Sequence, residues 1–383
     1  MKNRSFLSLV VAVVSCAFTV LCAQTSPSTM KAIVVHEFGG PEVLRYEDTP
    51  KPAPKENEML IRVIAAGVNP VDDGLRSGHY SKYFGPKPPF TPGSDIAGVV
   101  EKTGVQITKL KVGDAVYAYL DLDRGGGYAE YALANEKEAA LKPNSLTFEE
   151  AAATPIVALT AWQALIDTAK LSPGQTVLIH GGSGGVGTFA IQIAKARGAK
   201  VLATASTPNQ DLLKQLGADV AIDYTKQKFE DVAKDVDVVL DCVGKDTLQR
   251  SYGVVKKGGF IVTLVASPDP VQLEKHGIHR SDLSVAPNSG ELAEITKLIE
   301  QKKIKVVVSN ALPLTEAAKA QEQAATRHTR GKIVLKVSEA SKCFLPSQKN
   351  MQRREFLSFP VSLRLLPRAH LYCPTHWQSL RQK

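Results

Sequence analysis

Cysteine is nearly missing from the body of this chain. Of five cysteines in 383 residues, Cys16 and Cys22 lie in an apolar leader and Cys343 and Cys373 in an irregular tail, which leaves Cys242 alone in the patterned part. One thiol supports neither an internal disulfide nor a thiolate zinc cluster there. Net charge is missing from the body too. The formal +9 sits at the ends, with eight Lys or Arg against two Asp or Glu in residues 338–383 and Lys2 and Arg4 unopposed before Met30, so residues 30–337 carry +1. A body so close to neutral gives no footprint for a polyanion, and no nucleic-acid partner is expected. No apolar run reaches the ~20 residues of a stable membrane span.

The ends carry signals of another kind. Residues 1–29 place Lys2 and Arg4 before a 16-residue apolar run, Phe6 to Leu21, and then Cys22-Ala23-Gln24. That is the layout of a secretory signal peptide. A transmembrane anchor is disfavoured by the shortness of the run and by Ser8, Ser15 and Thr19 within it, and the lipoprotein-like Val13-Val14-Ser15-Cys16 is followed by too apolar a stretch to serve as a tether. Met30 opens an alternating strand and could itself be a start. The expectation is therefore export if the leader is used and a cytoplasmic protein if translation begins at Met30. Residues 338–383 mix Arg, Pro, Cys and aromatics without period and read as an irregular basic tail. Cys373 and His376 have no second ligand pair beside them.

At 44% hydrophobic and 22% charged residues, the chain has an ordinary globular composition, and its length suggests two domains. Residues 30–153 carry alternating strands such as Met59 to Ile64, many Pro and Gly turns and little helix before Ser145, which predicts a compact, mostly antiparallel β domain. Residues 154–303 alternate short apolar strands with amphipathic helices, the pattern of a doubly wound parallel sheet. Its strands are expected at Thr176–His180, Lys200–Thr204, Val220–Asp223, Val236–Asp241 and Gly259–Leu264, with a sixth at Leu283–Val285. A strand at Lys305–Val308 and a last one at Lys332–Val337 are expected to return to the first domain, so that residues 304–337 complete it and leave a cleft for a ligand.

The strongest chemical signal is Gly182-Ser183-Gly184-Gly185-Val186-Gly187. It directly follows a buried strand and opens a helix, Val186 to Arg197, whose Val186, Ala190, Ile193 and Ala194 share a face and which stops at Gly198. In that context the glycines give a tight turn, close backbone approach to a pyrophosphate and close packing of helix on strand, with the phosphates at the positive helix end. The second strand ends in Ala203-Thr204-Ala205-Ser206-Thr207, without the acid that would bind a ribose 2′-hydroxyl and repel a 2′-phosphate. NADPH is expected over NADH, with Thr204 and Ser206 at the strand end and Lys214 and Tyr224 as possible phosphate contacts.

With Gly67-Val68-Asn69-Pro70-Val71-Asp72, Gly93-Ser94-Asp95-Ile96-Ala97-Gly98 and the turn His180 to Gly187 in order, the sequence from Met30 to Val337 resembles the medium-chain dehydrogenase/reductase superfamily. Within it the likeness is to the zinc-independent, zeta-crystallin-like quinone oxidoreductases. The resemblance implies a GroES-like domain beside a Rossmann domain, NADPH as cofactor and a homodimer. Where zinc-dependent relatives carry Cys and a His-Glu pair, this chain has Asn69 and Ser94-Asp95, so no zinc is expected. The resemblance also places Asn69 and Tyr80 at the substrate and nicotinamide, with Tyr80 as a donor to a developing oxyanion. It puts Thr160 and Val243 near the nicotinamide, and Arg330-Gly331-Lys332 at the closing motif, where Lys332 could contact cofactor or simply start a strand. Asp72 and Asp95 support the loop, and His36 and His79 read as loop residues. The function this implies is NADPH-dependent hydride transfer to a quinone or an α,β-unsaturated carbonyl, whose carbon is already electrophilic and needs no Lewis acid. An NADPH-binding structural or regulatory protein with little turnover, and an enoyl-thioester reductase, are the alternatives.

Overall fold

The computed structural model describes residues 29–280 and 283–339. The expected signal segment and basic tail lie outside these, apart from Thr29, Ser338 and Glu339, and so do Cys16, Cys22, Cys343 and Cys373. Among the described residues no helix is long and apolar enough to cross a membrane.

The strands run β1 (Thr29–Val35), β2 (Leu44–Pro50), β3 (Met59–Gly67), β4 (Asp95–Thr103), β5 (Ala115–Tyr119), β6 (Tyr131–Ala134), β7 (Ala139–Leu141), β8 (Thr176–His180), β9 (Lys200–Ala205), β10 (Val220–Asp223), β11 (Val236–Asp241), β12 (Val255–Thr263), β13 (His279–Arg280), β14 (Val308–Pro313) and β15 (Lys332–Lys336). Six of them form a parallel sheet in the order β10-β9-β8-β11-β12-β13. Val177, Leu178 and Ile179 of β8 are all buried, as a strand covered on both faces requires. Strand order reverses between β8 and β11, which opens a crevice at their carboxyl ends. A second sheet, β14-β15-β3-β4-β5-β7 with β6 also on β3, is antiparallel except for the β14–β15 pair. Strands β1 and β2 pair separately. The architecture is thus a Rossmann-type α/β sheet with a separate, mostly antiparallel sheet.

One apolar cluster joins the two sheets. Ala65, Ala97 and Tyr117 of the antiparallel sheet share it with Val177, Ile179 and Val201 of the parallel one, through the alanines and leucines of residues 151–165. Tyr117 adds a polar rivet: its buried hydroxyl donates to Leu292 O at 2.6 Å and meets Thr296 Oγ1 at 2.9 Å.

Two expected strands are displaced. The sixth strand is the two-residue β13, and Leu283–Val285 has no ladder. Leu283 and Val285 pack on the core from a loop, where the Gln163 side chain bonds both backbone groups of Ala286, Nε2 to O at 2.9 Å and N to Oε1 at 3.1 Å. Likewise β14 starts at Val308, not Lys305, because the Gln192 amide takes the backbone groups of Lys305 at 2.7 and 3.0 Å. In both places a glutamine side chain stands in for a neighbouring strand. The first domain also holds an early helix, Pro70–Arg76, which begins at the Asn69-Pro70 step with the Asn69 N–H donating to Asp72 Oδ2 at 2.9 Å. Proline at the first helical position is pre-set for it.

Candidate active site

The glycine turn leaves β8 and enters the helix Gly185–Ala196, one residue earlier than the sequence suggests. A Cβ on Gly187 would collide with Gly181 O, so only glycine lets this helix seat so closely on the strand. The N–H groups of Gly185, Val186 and Gly187 have no intrahelical acceptor by helix geometry, the first turn holds no acid, and a Cβ on Gly184 would find no atom nearer than 3.4 Å. Free donors, a positive helix end and open space fit a pyrophosphate. Val243, 43% exposed, follows β11 and lies against Gly181 across the strand-order reversal. Thr160 stands on the helix Pro155–Trp162, which approaches the turn where Val157 would lie 3.1 Å from a Cβ on Gly185. Its hydroxyl is spent on Ile156 O at 2.6 Å.

The strand-end group separates. Thr204 is turned inward: its hydroxyl lies 3.2 Å from His180 Nδ1 and is not presented to a ligand. His180 bridges Thr204 and Ser251, and burial lowers its pKa to about 4, so it is neutral. Ser206 remains at the strand end, in contact with Asn209 at 3.1 Å. Tyr224 is 56% exposed beside it in the neighbouring strand's loop, while Lys214 points to solvent on a helix and faces Asp211 at 3.9 Å. An acid that β9 itself does not show comes from β10. Parallel register sets Asp223 opposite Ala205, and the hydroxyls of Thr207 and Thr225 donate to its two oxygens at 2.6 and 2.7 Å, holding the carboxyl below its usual range.

On the other side of the turn lies a buried polar cluster. Asn69 Nδ2 donates to Asp95 Oδ2 at 3.0 Å, and Lys332 Nζ donates to Asn69 Oδ1 at 2.5 Å and Val68 O at 2.6 Å. Asp95 in turn accepts the Ile156 N–H at 2.8 Å, at the start of the helix carrying Thr160. Asp72 accepts from Tyr128 Oη at 2.9 Å and Ser94 Oγ at 3.4 Å. Two buried carboxyl groups lie within electrostatic reach of one buried ammonium. Burial accordingly raises Asp72 to about 7, raises Asp95, and lowers Lys332, each opposed by the nearest opposite charge. Of the two readings left open for Lys332, strand initiation is the one seen, since it begins β15 with a side chain 5% exposed whose ammonium donates inside the protein. Its backbone neighbour does reach the turn: Gly331 N donates to Ser183 O at 2.8 Å.

Asn69 and Tyr80 come together as walls of a cavity of ≈ 330 Å³, with Gly74, Ser77, His79, Gln321 and Arg327 among its other lining residues. The Tyr80 ring stacks on Phe84 at 4.8 Å and fills the space a side chain at Gly74 would need. His79 meets the Tyr80 ring edge-on, and His36 pairs with Glu47 at the surface. Among the described residues no group of three or more His, Cys, Asp or Glu is placed to hold a metal ion. Sequence reasoning missed Tyr128, Gln321 and the inward course of Lys332. No local signal marks them, since the partners stand 56 to 264 positions apart.

Comparison with known proteins gives a consistent result. The family model described as alcohol dehydrogenase GroES-like domain matches residues 55–144, and that described as zinc-binding dehydrogenase matches residues 216–335. The NADPH-dependent alkenal/one oxidoreductase of Arabidopsis thaliana is 38% identical over 332 residues, covering 84% of this chain and 83% of that one. Quinone oxidoreductase of Mus musculus is 37% identical over 318 residues, 78% of this chain and 95% of that one. The solved Escherichia coli quinone oxidoreductase, complexed with NADPH, superposes with a TM-score of 0.73 at 31% identity over 80% of this chain and all of that one. With its parallel sheet, glycine turn and Asn69 cavity, the chain is an oxidoreductase of the medium-chain dehydrogenase/reductase superfamily, related to the quinone oxidoreductases and alkenal reductases.

Proposed function

We propose that this enzyme reduces quinones or α,β-unsaturated carbonyls with NADPH and without a catalytic metal. The observation that carries the reading is Asn69, held in one orientation in the wall of a cavity it shares with Tyr80. A bound nicotinamide supplies hydride. The turn's free N–H groups hold the pyrophosphate, and Val243 lies beside Gly181 at the crevice. Asn69 uses one Nδ2 proton on Asp95, and its second proton has no acceptor among the described residues. That N–H and the Tyr80 hydroxyl are neutral donors at the cavity wall, positioned before charge develops on an acceptor oxygen. Metal binding is opposed by charge as well as by ligand type, because the Lys332 ammonium already occupies the space between Asn69 and Asp95. The preference for NADPH is supported by the acid-free end of β9 and by Asp223 having both oxygens engaged by threonine hydroxyls.

The test is to follow nicotinamide oxidation with 1,4-naphthoquinone and but-3-en-2-one, using NADPH and NADH in parallel, with and without EDTA. Turnover that EDTA leaves intact and that is faster with NADPH is expected. No turnover across quinones and enones sinks the acceptor reading, and loss of activity with EDTA sinks the metal-free one.

A further inference from the structure

The geometry points to Lys332 as a positioning residue that fixes the amide of Asn69 in its working orientation and does not contact the cofactor phosphates. This rests on the reading of Asn69 as a donor to the acceptor. The ammonium can only donate, and it donates to Asn69 Oδ1 at 2.5 Å and Val68 O at 2.6 Å, with Asp95 Oδ2 3.7 Å away. The Asp95 carboxylate only accepts, and it takes the Asn69 Nδ2 proton at 3.0 Å. A flipped amide would set NH₂ against NH₃⁺ and C=O against carboxylate, two repulsive contacts in place of two bonds. The amide therefore has one permitted state, and that state aims its remaining N–H away from the cluster.

Asp95 alone could not enforce this. Burial pushes its pKa up and the Lys332 charge opposes the push. Removing the ammonium takes away the charge that opposes this push and favours the protonated carboxyl, which is donor and acceptor together and accepts either amide orientation. The position of Lys332 in the fold adds a second reason. It begins β15 immediately after Gly331, whose N–H holds Ser183 O of the glycine turn at 2.8 Å. One short segment thus anchors the turn by its backbone and the asparagine by its side chain.

The experiment uses the full chain and four variants: Lys332→Met, Lys332→Gln, Asn69→Ala and the Lys332→Met/Asn69→Ala double. With 1,4-naphthoquinone as acceptor, Lys332→Met is expected to lower kcat by about 10- to 100-fold, the scale of a misplaced catalytic group, with the NADPH Kd changed less than about threefold. Lys332→Gln keeps an N–H donor group without the charge and is expected to recover part of kcat; it also serves if the methionine variant does not fold. In the Asn69→Ala background Lys332→Met is expected to cost under about threefold more, because the two act through one group. A tenfold rise in NADPH Kd with kcat kept, or full additivity, overturns the proposal. A readout independent of turnover is the side-chain amide pair of Asn69 in ¹⁵N-asparagine-labelled protein, identified by its loss in Asn69→Ala. It should shift or broaden in Lys332→Met, and an unchanged pair overturns the proposal even if no acceptor is turned over.

Discussion

Single residues carry more of this site than their neighbours in sequence suggest. The resemblance puts Asn69 and Tyr80 together, and both line one cavity, whereas the contacts of Lys332 and Asp223 follow from register and long-range pairing that no window of sequence contains. The buried Asp72 makes a pH prediction. Its carboxyl stands near 7 in the fold against about 3.9 in an unfolded chain, so the folded state binds the extra proton. Its stabilising contribution is complete below about pH 4 and is lost as pH rises through 7. Urea midpoints at pH 5 and pH 8 should therefore differ less in Asp72→Asn than in the parent, by the equivalent of a few kcal/mol at most; an equal or larger difference in the variant would falsify the assignment. Gly74 gives a second. A methyl there takes the space of the Tyr80 ring, so Gly74→Ala should raise KM for acceptors about tenfold or more while leaving NADPH Kd unchanged. Titration and steady-state kinetics on one preparation decide it.

At the scale of elements, β8 and β9 were legible because both faces are apolar, and a run without polar alternation reads as a covered parallel strand. The edge strands β13 and β14 were not. At Lys305 and at Ala286 a glutamine supplies the hydrogen bonds of a missing neighbour, and nothing in the local pattern distinguishes a side-chain amide from a strand. Gly331 is the element junction with the sharpest requirement: its φ is +72° and a Cβ would collide with Val307 O. Gly331→Ala should cost about 1–3 kcal/mol from backbone strain alone and weaken NADPH binding as well, through the bond to Ser183. Differential scanning calorimetry with and without NADPH separates the two losses. An unchanged ligand-induced shift in Tm would show that the bond to Ser183 is irrelevant to the cofactor.

For the molecule as a whole, the shared apolar cluster means that the two sheets are not independent units of stability. The sequence shows two patterns and hides the joint, because the residues at the joint are mostly small alanines that carry no period of their own. The Tyr117 hydroxyl is the polar part of that joint, and Tyr117→Phe removes its bonds to the Leu292 carbonyl, which keeps its bond within the helix, and to Thr296. A buried hydrogen bond lost in this way costs about 0.5–1.5 kcal/mol. Urea unfolding followed both by tryptophan fluorescence and by circular dichroism should shift together by that amount. If the two probes separate in the parent protein, the sheets unfold independently and the joint has been overvalued.

The Gly331–Ser183 bond also bears on the order in which the protein is made. The dinucleotide sheet is complete in the chain by residue 280, yet the strand that clamps its turn and orients Asn69 is translated some fifty residues later. Until β15 leaves the ribosome, the nascent chain has neither the donor that tethers the glycine turn nor the ammonium that holds the asparagine amide. Competence therefore arrives at one late moment of synthesis. A ribosome stalled before residue 330 displays a chain that lacks both the clamp on its glycine turn and the anchor of its asparagine amide.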